Sequence, residues 1–240
     1  MKDLYCWKLR YKPCAYSNRL LEKLLLLNAK SKIKLEIEEV LKAIFYAKKY
    51  HADQKRQSGE PFYSHPIEVA YMVSDYLFTT DTIVVSILHD TLEDTELSFE
   101  MMGEIFGKAV ANQVMDLTRI QKDGYKVSSA RMVESLWLQK KYDLLLIKQF
   151  DRLHNIQTIG VKSPEKIKKI VSETLNSFII LSEYLKLPNI SKEMQLLCTK
   201  VIEELESAQS LYTKFNFSFN DNYQPLSPIY QNELYLKYIP

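Results

Sequence analysis

The sequence predicts an all-α fold, an irregular multi-helix bundle, on three observations. Apolar residues recur at helical spacing almost from end to end. Strand-like alternation is nearly absent. Only five glycines punctuate 240 residues, so tight turns are few.

The helices follow in order from their caps and breakers. Ser17 or Asn18 caps a first helix to about Leu27. A second runs from about Lys34 to His51, with Leu35, Val40, Leu41, Ile44 and Phe45 facing inward. Residues 53–64 read as a polar loop broken by Gly59 and Pro61. Pro66 fits a first helical position and opens a helix to about Leu77. Thr79 or Thr80 caps the next, expected to continue through Asp94. Ser98 caps Phe99–Phe106, which Gly107 stops. Lys108 to Ile120 is amphipathic, and Gly124 marks a turn. Further helices are expected at about 128–140, 143–159, 164–186 and 191–213. From Phe215 the chain is rich in Phe, Tyr and Pro without a clear period. This tail either packs on the body or on a partner, or stays disordered.

Composition narrows the class. Hydrophobic residues make up 46% and charged residues 26%, as in an ordinary globule with enough chain to bury a core. No apolar run is long enough to span a bilayer. The best, Leu20 to Leu27, is interrupted by Glu22 and Lys23. The N-terminus shows no apolar stretch with a small-residue cleavage site, so no secretory signal is expected. Cys6, Cys14 and Cys198 are odd in number and form no CxxC pair. Neither a disulfide framework nor a thiolate zinc site is expected, and a reducing, cytoplasmic compartment fits. A net charge of +2 and the lack of an RNA motif give no support to nucleic-acid binding. There is no GxGxxG and no Walker loop.

Charge is unevenly spread. Residues 1–56 carry 14 basic and 6 acidic residues (+8), and residues 57–120 carry 2 and 11 (−9). Two solvated faces that neutralise each other account for this. An acidic metal site beside a basic anion site accounts for it too.

Three polar clusters interrupt this pattern. The apolar run Ile83–Leu88 ends in His89, Asp90, Glu93 and Asp94. Four titratable groups closing an apolar helix are costly unless they bind something. His89 and Glu93 are four residues apart, as are Asp90 and Asp94, so each pair shares a helix face. Imidazole plus carboxylate is a normal ligand set for zinc, iron or manganese. The second cluster follows the apolar run Leu144–Ile147, where Asp151, Asn155 and Thr158 fall at i, i+4 and i+7. The third is the loop from Arg56 to Pro66, which offers a guanidinium, a Ser58 hydroxyl and His65 at a helix start. Singly, each has a bland reading: a chance dipeptide, a buried Asp151–Arg152 ion pair, a plain loop. His51 and His154 read as structural hydrogen-bonding residues. Jointly, a His, then a His-Asp pair, then a distal Asp on helices is a specific order.

In that order, and in the runs His51–Pro66, Ile87–Thr95, Ile105–Lys108, Ile147–Thr158 and Glu173–Leu175, the sequence resembles the HD-domain metal phosphohydrolases. It resembles more closely the hydrolase domain of the RelA/SpoT family, which degrades the alarmones ppGpp and pppGpp. The resemblance covers roughly residues 38–190. It implies an HD-domain helical bundle in which His65, His89, Asp90 and Asp151 bind a metal, Mn²⁺ in this family. It implies that Glu93 and Asp94 position and activate water, and that Arg56 and Ser58 hold the nucleotide. Asn155 and Thr158 would then contact base, ribose or phosphate. The expected activity is release of pyrophosphate from the 3′ position, leaving GDP or GTP, in the stringent response. Other nucleotides, such as a deoxynucleotide or NADPH, and a catalytically weak alarmone-binding role are the alternatives.

Two departures stand out. Gln57 occupies a position where the family often has Lys. No synthetase sequence follows residue 190, so the likeness is to a stand-alone or truncated hydrolase. The expected organisation is a helical extension over 1–30, the hydrolase domain over 31–190, and a C-terminal helix and aromatic tail over 191–240.

Overall fold

The computed structural model describes residues 6–119 and 126–218. Among them no strand forms, and an isolated antiparallel bridge joins Lys55 to Pro61. The helices are α1 (Trp7–Arg10), α2 (Ala15–Lys30), α3 (Ile37–His51), α4 (Ser64–Val73), α5 (Thr80–Leu88), α6 (Thr91–Asp94), α7 (Phe99–Phe106), α8 (Lys108–Leu117), α9 (Ser129–Leu138), α10 (Tyr142–Gln157), α11 (Pro164–Glu173), α12 (Ile179–Tyr184) and α13 (Pro188–Ser218). A 3-10 turn, Ile159–Val161, follows α10, and a π-helical segment, Thr174–Phe178, joins α11 to α12.

Most expected elements form where cap chemistry is local. Thr79, Ser98 and Ser128 each accept a hydrogen bond from the backbone N–H three residues on, at 3.2 to 3.3 Å. The first helix differs: α2 starts at Ala15, with Cys14 at the N-cap. Ser17 is the reciprocal partner, its Oγ accepting from the Cys14 N–H at 2.8 Å. Helix α4 begins two residues before Pro66. Leu35, Val40 and Ile44 are buried as expected, whereas Leu41 and Phe45 are half-buried. The helix expected through Asp94 is broken at His89-Asp90, where α5 ends and the one-turn α6 begins. The turn expected at Gly124 and the tail beyond Ser218 lie outside the described residues.

Two helices are buried on all sides. Thr82–Leu88 of α5 and Leu144–Leu153 of α10 have no exposed residue. A helix buried around its circumference belongs at the centre of a fold, and α10 lies there with Lys148, Gln149, Asp151 and Arg152 among its buried residues. Around this pair pack α3, α4 and α8. The core continues outward to Leu20 and Leu24 of α2 and to Met194 and Cys198 of α13. Each fully buried Leu or Ile contributes about 1.5–3 kcal/mol. The polar groups of the site project from this rigid centre.

Candidate metal centre and anion site

Three helices deliver the clustered groups. His65 is the second residue of α4, His89 and Asp90 follow the last turn of α5, and Asp151 lies in α10. His65, His89 and Asp151 are buried, and each offers one ligand atom within 4.8 Å of the others. His65 Nε2 lies 3.1 Å from Asp151 Oδ1 and 3.6 Å from Asp90 Oδ2. His89 Nε2 lies 3.1 Å from Asp90 Oδ1 and 3.9 Å from Asp151 Oδ1.

The donor set fits a divalent cation. His89 Nδ1 faces the Ser86 carbonyl at 2.8 Å, an acceptor, so Nδ1 carries the ring proton. Nε2 is then a bare lone pair, buried and without a hydrogen bond. A bare nitrogen aimed at two carboxylates is unfavourable unless a cation lies among them. A ligand histidine whose other nitrogen is fixed by a backbone carbonyl is a common metal-site arrangement.

Asp151 is further constrained. Its Oδ1 accepts from Asn155 Nδ2 at 2.6 Å, and its Oδ2 pairs with the buried Lys148 ammonium. Burial raises the carboxyl's pKa, but Lys148 together with His65 and His89 outweighs burial and holds it well below the usual carboxylate range.

Arg56 approaches the cluster from the loop after α3. That loop is a tight hairpin in which Arg56 N–H donates to the Glu60 carbonyl and Phe62 N–H to the Gln54 carbonyl, both at 2.9 Å. Gly59 turns it at φ +89°, a left-handed conformation that favours glycine. The guanidinium donates to Thr158 Oγ1 at 2.9 Å and to His154 Nδ1 at 3.2 Å. His154 Nδ1 lies 2.6 Å from His65 Nδ1. Burial, then His65 and Arg56, push His154 down to about 3.

The two acidic residues of α6 differ. Glu93 opposes burial with hydrogen bonds from Lys126 Nζ at 2.7 Å and the Arg119 N–H at 3.0 Å, which hold its pKa below the ordinary value. Asp94 is pushed up to about 6 by partial burial of its carboxyl and by the charges of Asp90 and Glu93.

The structure thus gathers His65, His89, Asp90 and Asp151, with Asn155 against Asp151 and Thr158 against Arg56. Ser58 is exposed on the loop tip two residues beyond Arg56. Arg152 pairs not with Asp151 but with Glu173, at 2.8 Å, and lies 4.4 Å from the Phe178 ring, joining α10 to the π-helical segment. Sequence reasoning missed Lys148, Arg119 and Lys126. It gave His154 only a structural part. The position of His154 three residues after Asp151, on a helix already carrying site residues, was the available signal. His51 bonds Gln54 Oε1 through Nδ1 at 2.8 Å and stacks on Phe62. Gln54 in turn donates to the Asp94 carbonyl at 2.8 Å.

Helices that bring His65, His89 and Asp151 together at a buried point where they could hold a metal ion define a helical domain with a candidate metal centre. The HD domain family matches residues 43–185, more than half of the chain, and the chain belongs to that family. Among curated relatives, a guanosine-3′,5′-bis(diphosphate) 3′-pyrophosphohydrolase of Aquifex aeolicus is 38% identical over 160 residues. That match covers 66% of this chain and 23% of the relative. A protein of Brucella ovis named GTP pyrophosphokinase rsh is 33% identical over 176 residues, 70% of this chain and 24% of its own. The chain therefore spans about a quarter of the length of these relatives. A solved structure described as "A metazoan ortholog of SpoT hydrolyzes ppGpp and plays a role in starvation responses" shares the fold. Its TM-score is 0.51 at 21% identity, covering 69% of this chain and 94% of that one.

Proposed function

We propose that this protein hydrolyses ppGpp and pppGpp at the 3′ position, releasing pyrophosphate and GDP or GTP as part of the stringent response. The observation that carries the reading is the bare, buried His89 Nε2 facing Asp90 and Asp151, with the half-buried Arg56 close by. The name of the Aquifex relative supplies the substrate.

His65, His89, Asp90 and Asp151 would hold the metal, which we assign as Mn²⁺. When bound, such an ion lowers the pKa of a water and polarises a phosphoryl oxygen. The residues of the chain supply the rest. Arg56 offers its remaining N–H groups to the phosphate and stabilises charge that builds in the transition state. Asp94, with a pKa near working pH, accepts the proton of the attacking water. Glu93, kept ionised by Arg119 and Lys126, orients that water. Water oxygen bonds to the phosphorus on the ribose 3′-oxygen, the bond to that oxygen breaks, the 3′-oxygen takes up a proton from solvent to become a hydroxyl, and pyrophosphate separates. Asn155 and Thr158, one and two turns beyond Asp151, face the nucleoside side.

The test is incubation of the purified protein with ppGpp and Mn²⁺, quantifying GDP and pyrophosphate beside a chelated sample and His89→Ala. Metal-dependent release that is lost in the variant supports the reading. Metal binding without turnover overturns it. In that case tight ppGpp binding identifies an alarmone-binding protein, and its absence points to a deoxynucleotide or NADPH.

A further inference from the structure

We propose that Lys162 is the second cation of the anion site and that it binds, together with Arg56, the diphosphate group of the substrate. The Arg56 guanidinium donates to Thr158 Oγ1 and to His154 Nδ1, and neither acceptor is a carboxylate. Among the described residues no carboxylate forms an ion pair with it, and Glu60, Asp90 and Asp151 act on it from farther away. The chain delivers Lys162 to the same place. Thr158 follows the last residue of α10, and its hydroxyl, which Arg56 bonds, itself donates to the His154 carbonyl at 2.8 Å. The buried Ile159 then anchors the 3-10 turn Ile159–Val161, which the Lys162 N–H closes on the Ile159 carbonyl at 3.0 Å. Lys162 thus emerges one tight turn beyond Thr158 and just ahead of α11, half-buried.

Its surroundings are those of a group waiting for an anion. Among the described residues the Lys162 ammonium has no hydrogen bond and no ion pair. The charges that act on it are those of Arg56 and of Lys166, four residues on, and both are positive. Burial first, then these two cations, lowers its pKa. Partly buried like charges held together are unfavourable in the empty site. A bound anion turns the same charges into attractions. The two side chains are also complementary in shape. A guanidinium takes a phosphoryl group with paired N–H donors, and an ammonium is a compact point charge on a flexible stem. A diphosphate presents adjacent phosphoryl groups that fork and point charge hold at the same time, whereas a single phosphate engages the fork alone.

The inference rests on the activity proposed above and names a residue of that same site, and its first test needs no nucleotide. Calorimetric titration of the full chain, freed of metal, with inorganic pyrophosphate and with orthophosphate reads the anion site alone. The wild type is compared with Lys162→Gln, Lys162→Arg and Lys30→Gln. Lys30 is exposed at the end of α2 opposite Tyr16, which bonds Glu60 of the hairpin at 3.3 Å, so its loss changes the net charge away from Arg56. The wild type is expected to bind pyrophosphate more tightly than orthophosphate. Lys162→Gln is expected to weaken pyrophosphate binding about 10-fold, the usual effect of losing a charged hydrogen-bond partner, and to erase that preference. It is also expected to melt no lower than the wild type, because a repulsion is relieved. Lys162→Arg and Lys30→Gln are expected to keep the wild-type affinity. With ppGpp as substrate, Lys162→Gln should raise KM more than it lowers kcat. No pyrophosphate binding by the wild type, unchanged affinity in Lys162→Gln, an equal loss in Lys30→Gln, or a lower melting temperature of Lys162→Gln overturns the proposal. Pyrophosphate binding that depends on Lys162 in a protein that leaves ppGpp intact refutes the proposed activity and leaves the diphosphate site standing.

Discussion

Glu93 and Arg119 meet at two points: the carboxylate accepts from the Arg119 backbone N–H at 3.0 Å and from its guanidinium at 3.1 Å. Lys126 adds a third donor at 2.7 Å. The neighbouring Asp94 is instead pushed up to about 6 by burial and by Asp90 and Glu93. Adjacent carboxylates with pKa values driven apart have separable roles. Wild-type kcat/KM should fall as pH drops through about 6 or somewhat lower, because the proton acceptor must be ionised and a bound cation favours its anion. Asp94→Asn should lower kcat by about 10²–10⁴-fold and abolish that limb. Glu93→Gln should lower the rate and keep the limb. An acid limb that survives in Asp94→Asn would assign the base elsewhere.

The same shift has a stability consequence. A carboxyl whose folded pKa exceeds its ordinary value of 3.8 stabilises the fold below that value, and the contribution is lost as pH rises through about 6. Removing the charge should therefore help at neutral pH. Metal-free Asp94→Asn should melt a few degrees above the wild type at pH 7.5 and no higher at pH 4, an effect kept modest by solvent screening. Thermal melts at the two pH values decide it.

Ala52 ends α3 at φ 39°, ψ −116°, inside a turn closed by Gln54 N–H donating to the His51 carbonyl at 2.8 Å. That backbone region suits glycine. Ala52→Gly should raise stability by about 1 kcal/mol, because relief of strain exceeds the added freedom of the unfolded chain. Urea unfolding at constant slope measures it, and a loss of stability would refute the strain.

Legibility in the sequence followed the range of each interaction. Caps at Thr79 and Ser98 act over three residues, so their helices were readable. The break at His89-Asp90 was not, since the apolar period runs on to Leu92. The π-helical segment keeps helical spacing on both sides, and Phe178 ties it to α10, its carbonyl accepting from Gln149 Nε2 at 3.2 Å and its ring lying 4.4 Å from the Arg152 guanidinium. Glu93 is held by residues 26 and 33 positions on, and His154 meets His65 and Arg56 from 89 and 98 positions away. Residue types and spacing give no access to such contacts. They do reveal the candidate ligands, because buried charge at the end of an apolar helix is visible as a local contradiction.

Helix α2 offers a further test. Its Leu20 and Leu24 are fully buried in the common core, and Lys23 donates to the Tyr71 carbonyl of α4 at 2.6 Å. Leu24→Ala should cost about 2–5 kcal/mol of global stability. An effect confined to local exchange of α2 amides, without a shift of the global transition, would show that α2 folds as an appendage.

Lys148 links stability to metal binding. It is buried, and its ammonium is paired with Asp151 Oδ2. Lys148→Met would leave a buried carboxylate without its counter-charge in the metal-free protein, a loss of about 3–5 kcal/mol. The wild-type pairing depresses the pKa of Asp151, so its contribution is present above the ordinary carboxylate value and lost as pH falls below it. That acid sensitivity should be smaller in the variant. A divalent cation replaces the missing positive charge, so Mn²⁺ should raise the melting temperature of Lys148→Met by more than it raises that of the wild type. Ligands that bind only the folded state stabilise it by mass action, and the excess gain measures how far ammonium and cation serve the same carboxylate. Equal gains in the two proteins would mean that Lys148 neutralises Asp151 without bearing on the metal, and the geometry of Oδ1 alone would then govern binding.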